Sequence, residues 1–149
     1  MKYNASIRLT EILKIIPPEL SKISEEEFSM KVNSDKWSKK EILGHLIDSA
    51  ANNHHRFIRA QYQNSPTIIY DQNKWNELNH YQLLESKHII QFWTIYNQHL
   101  LEVIKRIPAE NLLRQCNVSS ENKVTLQFLI DDYVEHLQHH LKQITAYNF

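Results

Sequence analysis

The sequence predicts an all-α protein, an antiparallel four-helix bundle. Glycine occurs once and proline four times in 149 residues, whereas a β-rich domain of this size needs many tight turns that consume Gly, Asn and Pro. Four segments carry apolar residues at helical spacing. Four helices of roughly three to six turns can bury such stripes against one another in a single domain spanning residues 1–149.

The first two helices differ in how sharply their starts can be placed. The first is expected over about residues 5–24, and Pro17 and Pro18 either start a new turn there or bend the helix. The second begins with the sequence SKKE at 38–41, in which the serine and glutamate side chains each satisfy a free backbone N–H group. It continues to about residue 62.

The last two helices follow longer connections. A loop opening at residues 65–66 carries Tyr70, Asp71 and Trp75, and the third helix is expected between Asn79 and Pro108. Its inward stripe is predicted to be Ile89, Trp93, Tyr96, Leu100, Val103 and Ile107. An irregular connection follows, and the fourth helix is expected over about residues 125–147. The long connections before helices 3 and 4 allow either a simple up-down bundle or another topology.

Charge and cysteine content exclude several classes of protein. Lys plus Arg equals Asp plus Glu, so the formal net charge is zero, and no basic stripe favours nucleic acid or an anionic membrane. The sequence MKYNASIRLTEILKIIPPEL has charges spread through it, unlike a signal peptide or a membrane span. Cys116 is the single cysteine, and we interpret it as an incidental thiol. We expect a cytoplasmic protein without a nucleic-acid or membrane partner.

The fourth helix carries three histidines in the stretch EHLQHHLKQI at residues 135–144. Each residue advances about 100° around a helix. His140 therefore falls inside the apolar stripe, His136 lies at its edge, and His139 should face solvent. His136 and His140 project from one face, which is the spacing at which two imidazoles can share one metal ion. The stripe consists of Leu126, Ile130, Tyr133, Leu137, Leu141 and Ile144.

A third ligand has to come from another helix, and the second helix offers His45, His54 and His55. Periodicity alone leaves the choice open, because His54 lies closer than His45 to the centre of the apolar stripe. His45 is favoured by a polar seam of Ser49, Asn52 and Arg56 on its side of the helix. Gly44 precedes it, and glycine inside a helix costs about 1 kcal/mol relative to alanine. That cost suggests a close approach by a neighbouring helix or a ligand.

Three stretches in this order resemble the DinB-like superfamily of four-helix bundles, and its YfiT-like members in particular. They are WSKKEILGHLIDSAANNHHRFIRAQ, YDQNKW and YVEHLQHHLKQI. The resemblance implies a divalent metal, with zinc or nickel expected, bound by one histidine of helix 2 and two of the last helix. Carried over by position, the ligands are His45, His136 and His140. The other six histidines are then expected at surfaces or at the core edge.

The resemblance also suggests what such a site does. Three neutral imidazoles leave a coordination position open, as in catalytic zinc sites. The first hypothesis is a thiol S-transferase that joins a low-molecular-weight thiol, bound to the metal as a thiolate, to a small electrophile. The second is a hydrolase using a metal-bound hydroxide. The third is a metal-stabilised stress-response or binding module without turnover. We also expect a homodimer, formed through large residues of the third helix.

Further side chains are candidates to complete the site. Asp132 lies one turn before His136 and could orient an imidazole, as metal-bound histidines usually require. Gln143 and Tyr133 are expected to line the pocket. A last group of candidates for substrate contact consists of Asp48, Asn52, Arg56 and Asp71. Arg56 could equally cross the core edge and form an ion pair.

Overall fold

A computed structural model describes residues 2–149, with side chains described from residue 4 onward. The described chain contains six α-helices and one β-hairpin. The helices are α1 (Lys2–Leu20), α2 (Glu25–Ser29), α3 (Lys39–Tyr62), α4 (Gln72–Asn79), α5 (Ser86–Arg106) and α6 (Leu126–Ile144), and the strands are β1 (Gln115–Asn117) and β2 (Lys123–Thr125). The four long helices α1, α3, α5 and α6 confirm the predicted all-α bundle.

The helices begin where side chains can cap them. The capping box at α3 forms as predicted, since the Ser38 hydroxyl accepts from the Glu41 N–H and the Glu41 carboxylate accepts from the Ser38 N–H. Thr125 caps α6 by accepting from the N–H of Phe128. These caps satisfy backbone donors that lack a partner inside the helix, and they fix the start of the two helices that carry the histidines.

The packing order of the long helices answers the question that the sequence left open. Both α1 and α3 pack extensively against α5 and α6. Helices α1 and α3 therefore lie diagonally across the bundle, as do α5 and α6, whereas a simple up-down bundle would place the helices of each of these two pairs side by side. This arrangement places α3 directly against α6, and so brings the histidines of these two helices together.

The core confirms the predicted stripe of the last helix and corrects that of the third. All six apolar positions predicted for α6 are buried. In α5, however, Tyr96 and Val103 are only partly buried, while the buried face also includes Ile90, Asn97, Leu101 and Ile104. Asn97 can be buried because its Oδ1 accepts a hydrogen bond from the Tyr133 hydroxyl at 2.5 Å. The buried face of α5 is thus rotated about the helix axis relative to the predicted stripe.

The sequence prediction was wrong at both ends of the chain. Helix α1 ends at Leu20, before residue 24, and the separate helix α2 starts where the Ser24 hydroxyl accepts from the N–H of Glu27. Glu25 of α2 ion-pairs with Lys40 of α3. The last helix ends at Ile144 instead of extending to 147.

Both long connections contain structure that the sequence analysis did not predict. Trp75 lies in helix α4, which begins because Asp71 Oδ1 accepts from the N–H groups of Asn73 and Lys74 at 3.0 Å. The second connection folds into the antiparallel hairpin β1–β2. Cys116 lies on β1 and is buried, with its thiol donating to the Pro66 carbonyl at 3.2 Å. Burial raises the pKa of this thiol, which agrees with an inert cysteine.

Two observations concern the outer surface. None of the helices in residues 2–149 is long and apolar enough to span a membrane. Phe92 and Ile95 of α5 are exposed, on the helix through which we expect two copies to pair. The homodimer stays a prediction.

Candidate metal centre

Helices α3 and α6 bring three histidines to one point. The Nε2 atoms of His45 and His136 lie 3.1 Å apart. One ring nitrogen from each of His45, His136 and His140 lies within 4.8 Å of the other two. The three ring centroids are 4.6 to 4.9 Å apart and the rings are nearly perpendicular. In the described part of the chain, this is the one group of three or more His, Cys, Asp or Glu side chains arranged in this way.

The distances fit a shared metal ion. Two nitrogens at about 2.0–2.1 Å from a tetrahedral zinc ion are about 3.3 Å apart, close to the 3.1 Å separating His45 from His136. The remaining separations stay within 4.8 Å, so the rings would have to turn to bring all three nitrogens to a common ion. The donor set therefore fits a divalent cation of the kind that prefers imidazole.

Burial keeps the three imidazoles neutral. It lowers the pKa of His45 to about 4, with His140 adding to the effect. It lowers the pKa of His136 to about 3, with the other histidines contributing, and it lowers the pKa of His140 as well. A neutral imidazole has a lone pair to offer a metal, whereas a protonated one does not. Three such rings can therefore bind a cation at neutral pH without first losing protons.

Hydrogen bonds hold two of the rings by the nitrogen that faces away from the cluster. The Nδ1 atom of His136 lies 3.4 Å from the Ser49 hydroxyl. The Nδ1 atom of His140 lies 3.1 Å from Gln143 Oε1, an oxygen that can only accept. A proton on Nδ1 leaves the Nε2 lone pair for an ion. The His45 ring is held differently, by the Trp37 ring at a centroid distance of 5.1 Å.

The residues expected to complete the site divide into two groups. Gln143 contacts His140 as anticipated, and Asp48 and Asn52 are buried on α3. Asp132, by contrast, is exposed, and the hydrogen bond to His136 comes from Ser49. Asp132 makes no described hydrogen bond with the ring it was expected to orient, and its role at the site stays a prediction.

Two other candidates have structural roles. Asp71 caps helix α4 through its carboxylate. Tyr133 is 1% exposed, and its hydroxyl hydrogen-bonds Asn97 inside the core. Tyr133 therefore packs between helices and does not line a pocket. Its position in the apolar stripe of α6 already indicated in the sequence that Tyr133 packs between helices.

Gly44 makes room for a side chain that the sequence analysis missed. A Cβ atom at Gly44 would lie 2.2 Å from the Tyr81 ring, so the close approach expected there is made by Tyr81. The Tyr81 hydroxyl donates to Asp48 Oδ1 at 2.6 Å, and Asn79 donates to the same oxygen at 3.0 Å. Burial raises the pKa of Asp48 to about 6. Tyr81 thus fixes an acid one helical turn from His45.

An open cavity lies next to two residues that contact the cluster. Its volume is about 520 Å³. Two of its lining residues contact the cluster, since Trp37 packs on His45 and Gln143 hydrogen-bonds His140. The three histidines are not among its lining residues, so Trp37 and Gln143 lie between this cavity and the cluster. The other lining residues are Asp35, Lys36, Ile42, Gln72 and Asn73.

The remaining histidines lie elsewhere. His55, His80, His88, His99 and His139 are exposed, and His54 is partly buried. His54 Nδ1 lies 3.1 Å from the Tyr96 hydroxyl, and its ring packs against that of His99 at 5.3 Å. These positions agree with the surface and core-edge locations expected for all six.

Comparisons with known proteins relate the fold and the site to a family. A family model described as the DinB superfamily matches residues 9–144. A Bacillus cereus protein with the provisional name of metal-dependent hydrolase is 24% identical over 136 residues, which are 88% of this chain and 78% of that protein.

Two solved structures share the bundle. YfiT from Bacillus subtilis, described as a probable metal-dependent hydrolase with an unusual four-helix bundle topology, superposes with a TM-score of 0.79 at 19% identity. The match covers 93% of this chain and 83% of that one. The mycothiol-dependent maleylpyruvate isomerase gives a TM-score of 0.80 at 9% identity, over 97% of this chain and 60% of the isomerase. At these identities the likeness concerns the fold.

Proposed function

The chain belongs to the DinB superfamily, and we propose that it is a metal-dependent enzyme that transfers a small thiol to an electrophile. His45, His136 and His140 hold the divalent ion, with zinc or nickel the expected metal. The thiol enters through the cavity between Trp37 and Gln143. The observation that carries the proposal is the convergence of three imidazoles, each with a lowered pKa, on one point.

Intrinsic acidity favours a thiol over water as the nucleophile. When bound, the ion supplies positive charge that lowers the pKa of a coordinating thiol or water molecule. A thiol starts from a pKa of about 8.5 and ionises readily, whereas water starts near 15.7 and gains from a nearby base.

The protein's own residues prepare this chemistry. Ser49 and Gln143 orient the imidazoles, and Trp37 covers one face of His45. Trp37 also presents an apolar wall to the cavity, which excludes water from one side of the reacting sulfur. Lys36 and Asp35 line the same cavity and can contact polar groups of an incoming thiol.

The experiment uses protein purified without a histidine tag and loaded with zinc or nickel. The loaded protein is mixed with monochlorobimane and a panel of low-molecular-weight thiols, and conjugation is followed by fluorescence. We expect conjugation that requires metal and is lost in His140→Ala. His99→Ala is the matched control, since it removes a histidine outside the cluster. Lack of metal-dependent conjugation with every thiol would remove the proposal.

Hydrolysis is the second candidate, and the names of the relatives favour it. The Bacillus cereus protein and YfiT are both described as metal-dependent hydrolases. This reaction predicts turnover of an ester or amide without added thiol, at a rate that rises with pH near the pKa of the activated water. Turnover that persists when all thiols are omitted would favour hydrolysis, and its absence across a broad substrate panel would exclude it.

A further inference from the structure

A second cavity, formed by residues of helices α3, α4 and α5, is separate from the three-histidine centre. Its volume is about 440 Å³, within the roughly 300–1,000 Å³ of pockets that hold small molecules. His45, His136 and His140 are not among its lining residues. We call this cavity the aromatic groove, because Arg59 and five ring-bearing side chains line it, namely His54, His55, Tyr62, Trp75 and Tyr96.

Contacts with neighbouring rings fix the part of the groove that α5 contributes. The Tyr96 hydroxyl lies 3.1 Å from His54 Nδ1, and the two rings meet edge to face at a centroid distance of 5.7 Å. Phe92 stacks on the Tyr96 ring, with 5.7 Å between the centroids and an interplanar angle of 5°. Because these contacts already hold Tyr96, a ligand that packs against it does not first have to order it.

Trp75 of α4 forms another wall, and this helix is held against α3. The buried Asn76 side chain donates to the Glu41 carbonyl of α3 at 2.8 Å. The Tyr70 ring packs on Trp75 at a centroid distance of 5.8 Å. Trp75 nevertheless keeps 37% of its surface exposed, so part of its ring remains available to a ligand.

Arg59 gives the groove a positive charge without a matching acid. Its Nε donates to Gln63 Oε1 at 2.9 Å, and its two terminal nitrogens take part in none of the described hydrogen bonds or ion pairs. Their N–H groups form the planar fork that binds a carboxylate with two parallel hydrogen bonds. No Asp or Glu occurs among the described residues that line the groove. The groove therefore favours an anionic ligand.

Arg56, about one turn earlier on α3, provides the contrast. Its Nε and Nη2 groups donate to the Ile68 carbonyl at 3.3 and 2.9 Å, and Nη1 donates to Asn53 Oδ1 at 3.4 Å. It is not among the lining residues of the aromatic groove. These contacts hold the segment around Ile68 against α3, and the expected contact of Arg56 with a substrate stays a prediction.

We propose that the aromatic groove binds a small aromatic carboxylate, whose ring packs among Tyr62, Trp75 and Tyr96 while Arg59 holds the carboxylate. Aromatic rings gain from edge-to-face or offset packing in addition to the area that they bury. A flat aromatic ligand is therefore favoured over an aliphatic acid of similar size. This site is independent of the proposed metal chemistry.

Calorimetric titration of the full-length protein with three ligands tests the ligand class. The ligands are 2-naphthoate, its neutral analogue 2-naphthamide, and decahydro-2-naphthoate, an anion of similar size without an aromatic ring. We expect 2-naphthoate to bind at least about 5-fold more tightly than either of the others. Equal affinities for 2-naphthoate and 2-naphthamide would overturn the carboxylate, and equal affinities for the two acids would overturn the aromatic ring.

Three variants test which residues carry the binding. Arg59→Gln should remove the preference for 2-naphthoate over 2-naphthamide while keeping the affinity for the amide. Arg106→Gln is the matched control, because Arg106 is an exposed cation of α5 that does not line the groove. His140→Ala removes a candidate metal ligand and should leave the binding of 2-naphthoate unchanged. Loss of binding in either of these two controls, or an unchanged preference in Arg59→Gln, would overturn the site.

Nuclear magnetic resonance of the tryptophan indole N–H groups locates the ligand. We expect 2-naphthoate to shift the Trp75 signal, identified by its absence in Trp75→Phe, and to leave that of the buried Trp93 unchanged. A largest shift at Trp37, which packs on His45, would place the ligand at the metal centre and overturn the proposal. Absent binding of 2-naphthoate also overturns it. A dimer that dissociates in Tyr62→Ser would then assign the groove to a second copy of the chain.

Discussion

Helix α3 carries two histidine clusters that differ in geometry more than in composition. On one face, His45 joins His136 and His140 of α6, with one nitrogen of each ring within 4.8 Å of the others. On another face, His54 packs against His99 of α5 at a ring distance of 5.3 Å. Both clusters use rings from two helices, but only the first brings together three donors. Convergence, rather than the number of histidines, therefore distinguishes a candidate metal site.

The two clusters also differ in what holds the rings. Ser49 and Gln143 occupy the outer nitrogens of His136 and His140, which directs the inner nitrogens toward a common point. The Tyr96 hydroxyl instead occupies a nitrogen of His54, and no third ring follows. We expect the first cluster, named here the triad, to bind metal strongly, and the second cluster to bind it weakly or not at all.

The largest expected effect comes from deleting a triad ligand. His136→Ala should lower the zinc affinity by at least about 1,000-fold, because it removes one of three protein ligands whose site is worth on the order of 10 kcal/mol in total. His99→Ala should change the affinity by less than about 3-fold. Competition with a chromogenic chelator measures both variants. Equal losses of zinc affinity in the two variants would show that the two clusters contribute equally to zinc binding.

The next effect is stabilisation by the metal itself. Zinc at about 1,000 times its Kd stabilises the folded state by about 4 kcal/mol, which raises the Tm of a domain of this size by about 10 °C. Differential scanning calorimetry should show this shift in the unmodified protein and in His54→Ala. His45→Ala should show none. A shift that survives in His45→Ala would place the metal elsewhere.

A buried acid on the triad side of α3 makes stability depend on pH. Burial raises the pKa of Asp48 from 3.8 to about 6. Folding therefore favours the protonated form, and the stability this provides is complete below pH 3.8 and lost as the pH rises through about 6. The loss at neutral pH amounts to up to about 3 kcal/mol.

Asp48→Asn tests this acid. Asparagine keeps an oxygen that can accept from Tyr81 and Asn79 but does not ionise. In metal-free protein, urea unfolding should show the variant gaining stability relative to the unmodified chain between pH 4 and pH 8. A difference between the two proteins that stays constant with pH would contradict the assigned pKa.

The smallest effect concerns the hydroxyl that orients a triad ring. Ser49→Ala should weaken zinc binding by about 10- to 100-fold, since it releases His136 Nδ1 from its hydrogen-bonding partner. Tyr96→Phe is the matched control, because it removes the hydroxyl that contacts His54. Isothermal titration calorimetry can resolve the difference. An unchanged affinity in Ser49→Ala would mean that ring packing alone orients His136.

The sequence was sufficient for the parts of the fold that depend on local signals. The SKKE capping box placed the start of α3, and the apolar stripe of α6 placed its buried face. Helices α2 and α4 were missed because their starts depend on single capping residues, Ser24 and Asp71. The packing order of the helices could not be deduced, since periodicity defines which face is buried but not which helix covers it.

Part of the site could also be predicted from local signals in the sequence. Helical spacing put His136 and His140 on one face, but the choice of His45 over His54 rested on the polar seam beside His45 and on the family resemblance. Ser49 was noted only as part of a polar seam, and its contact with His136 requires two helices to be packed. Tyr81 was missed altogether, although Gly44 was recognised as the place where something comes close. Contacts between distant segments leave no local trace in the sequence.

The most direct measurement is an anomalous difference map, collected at the zinc absorption edge, from crystals of the tag-free protein grown with zinc. We predict one strong peak at about 2.0–2.1 Å from a nitrogen of each of His45, His136 and His140. A map without a peak there, or one whose strongest peak lies between His54 and His99, would contradict this prediction.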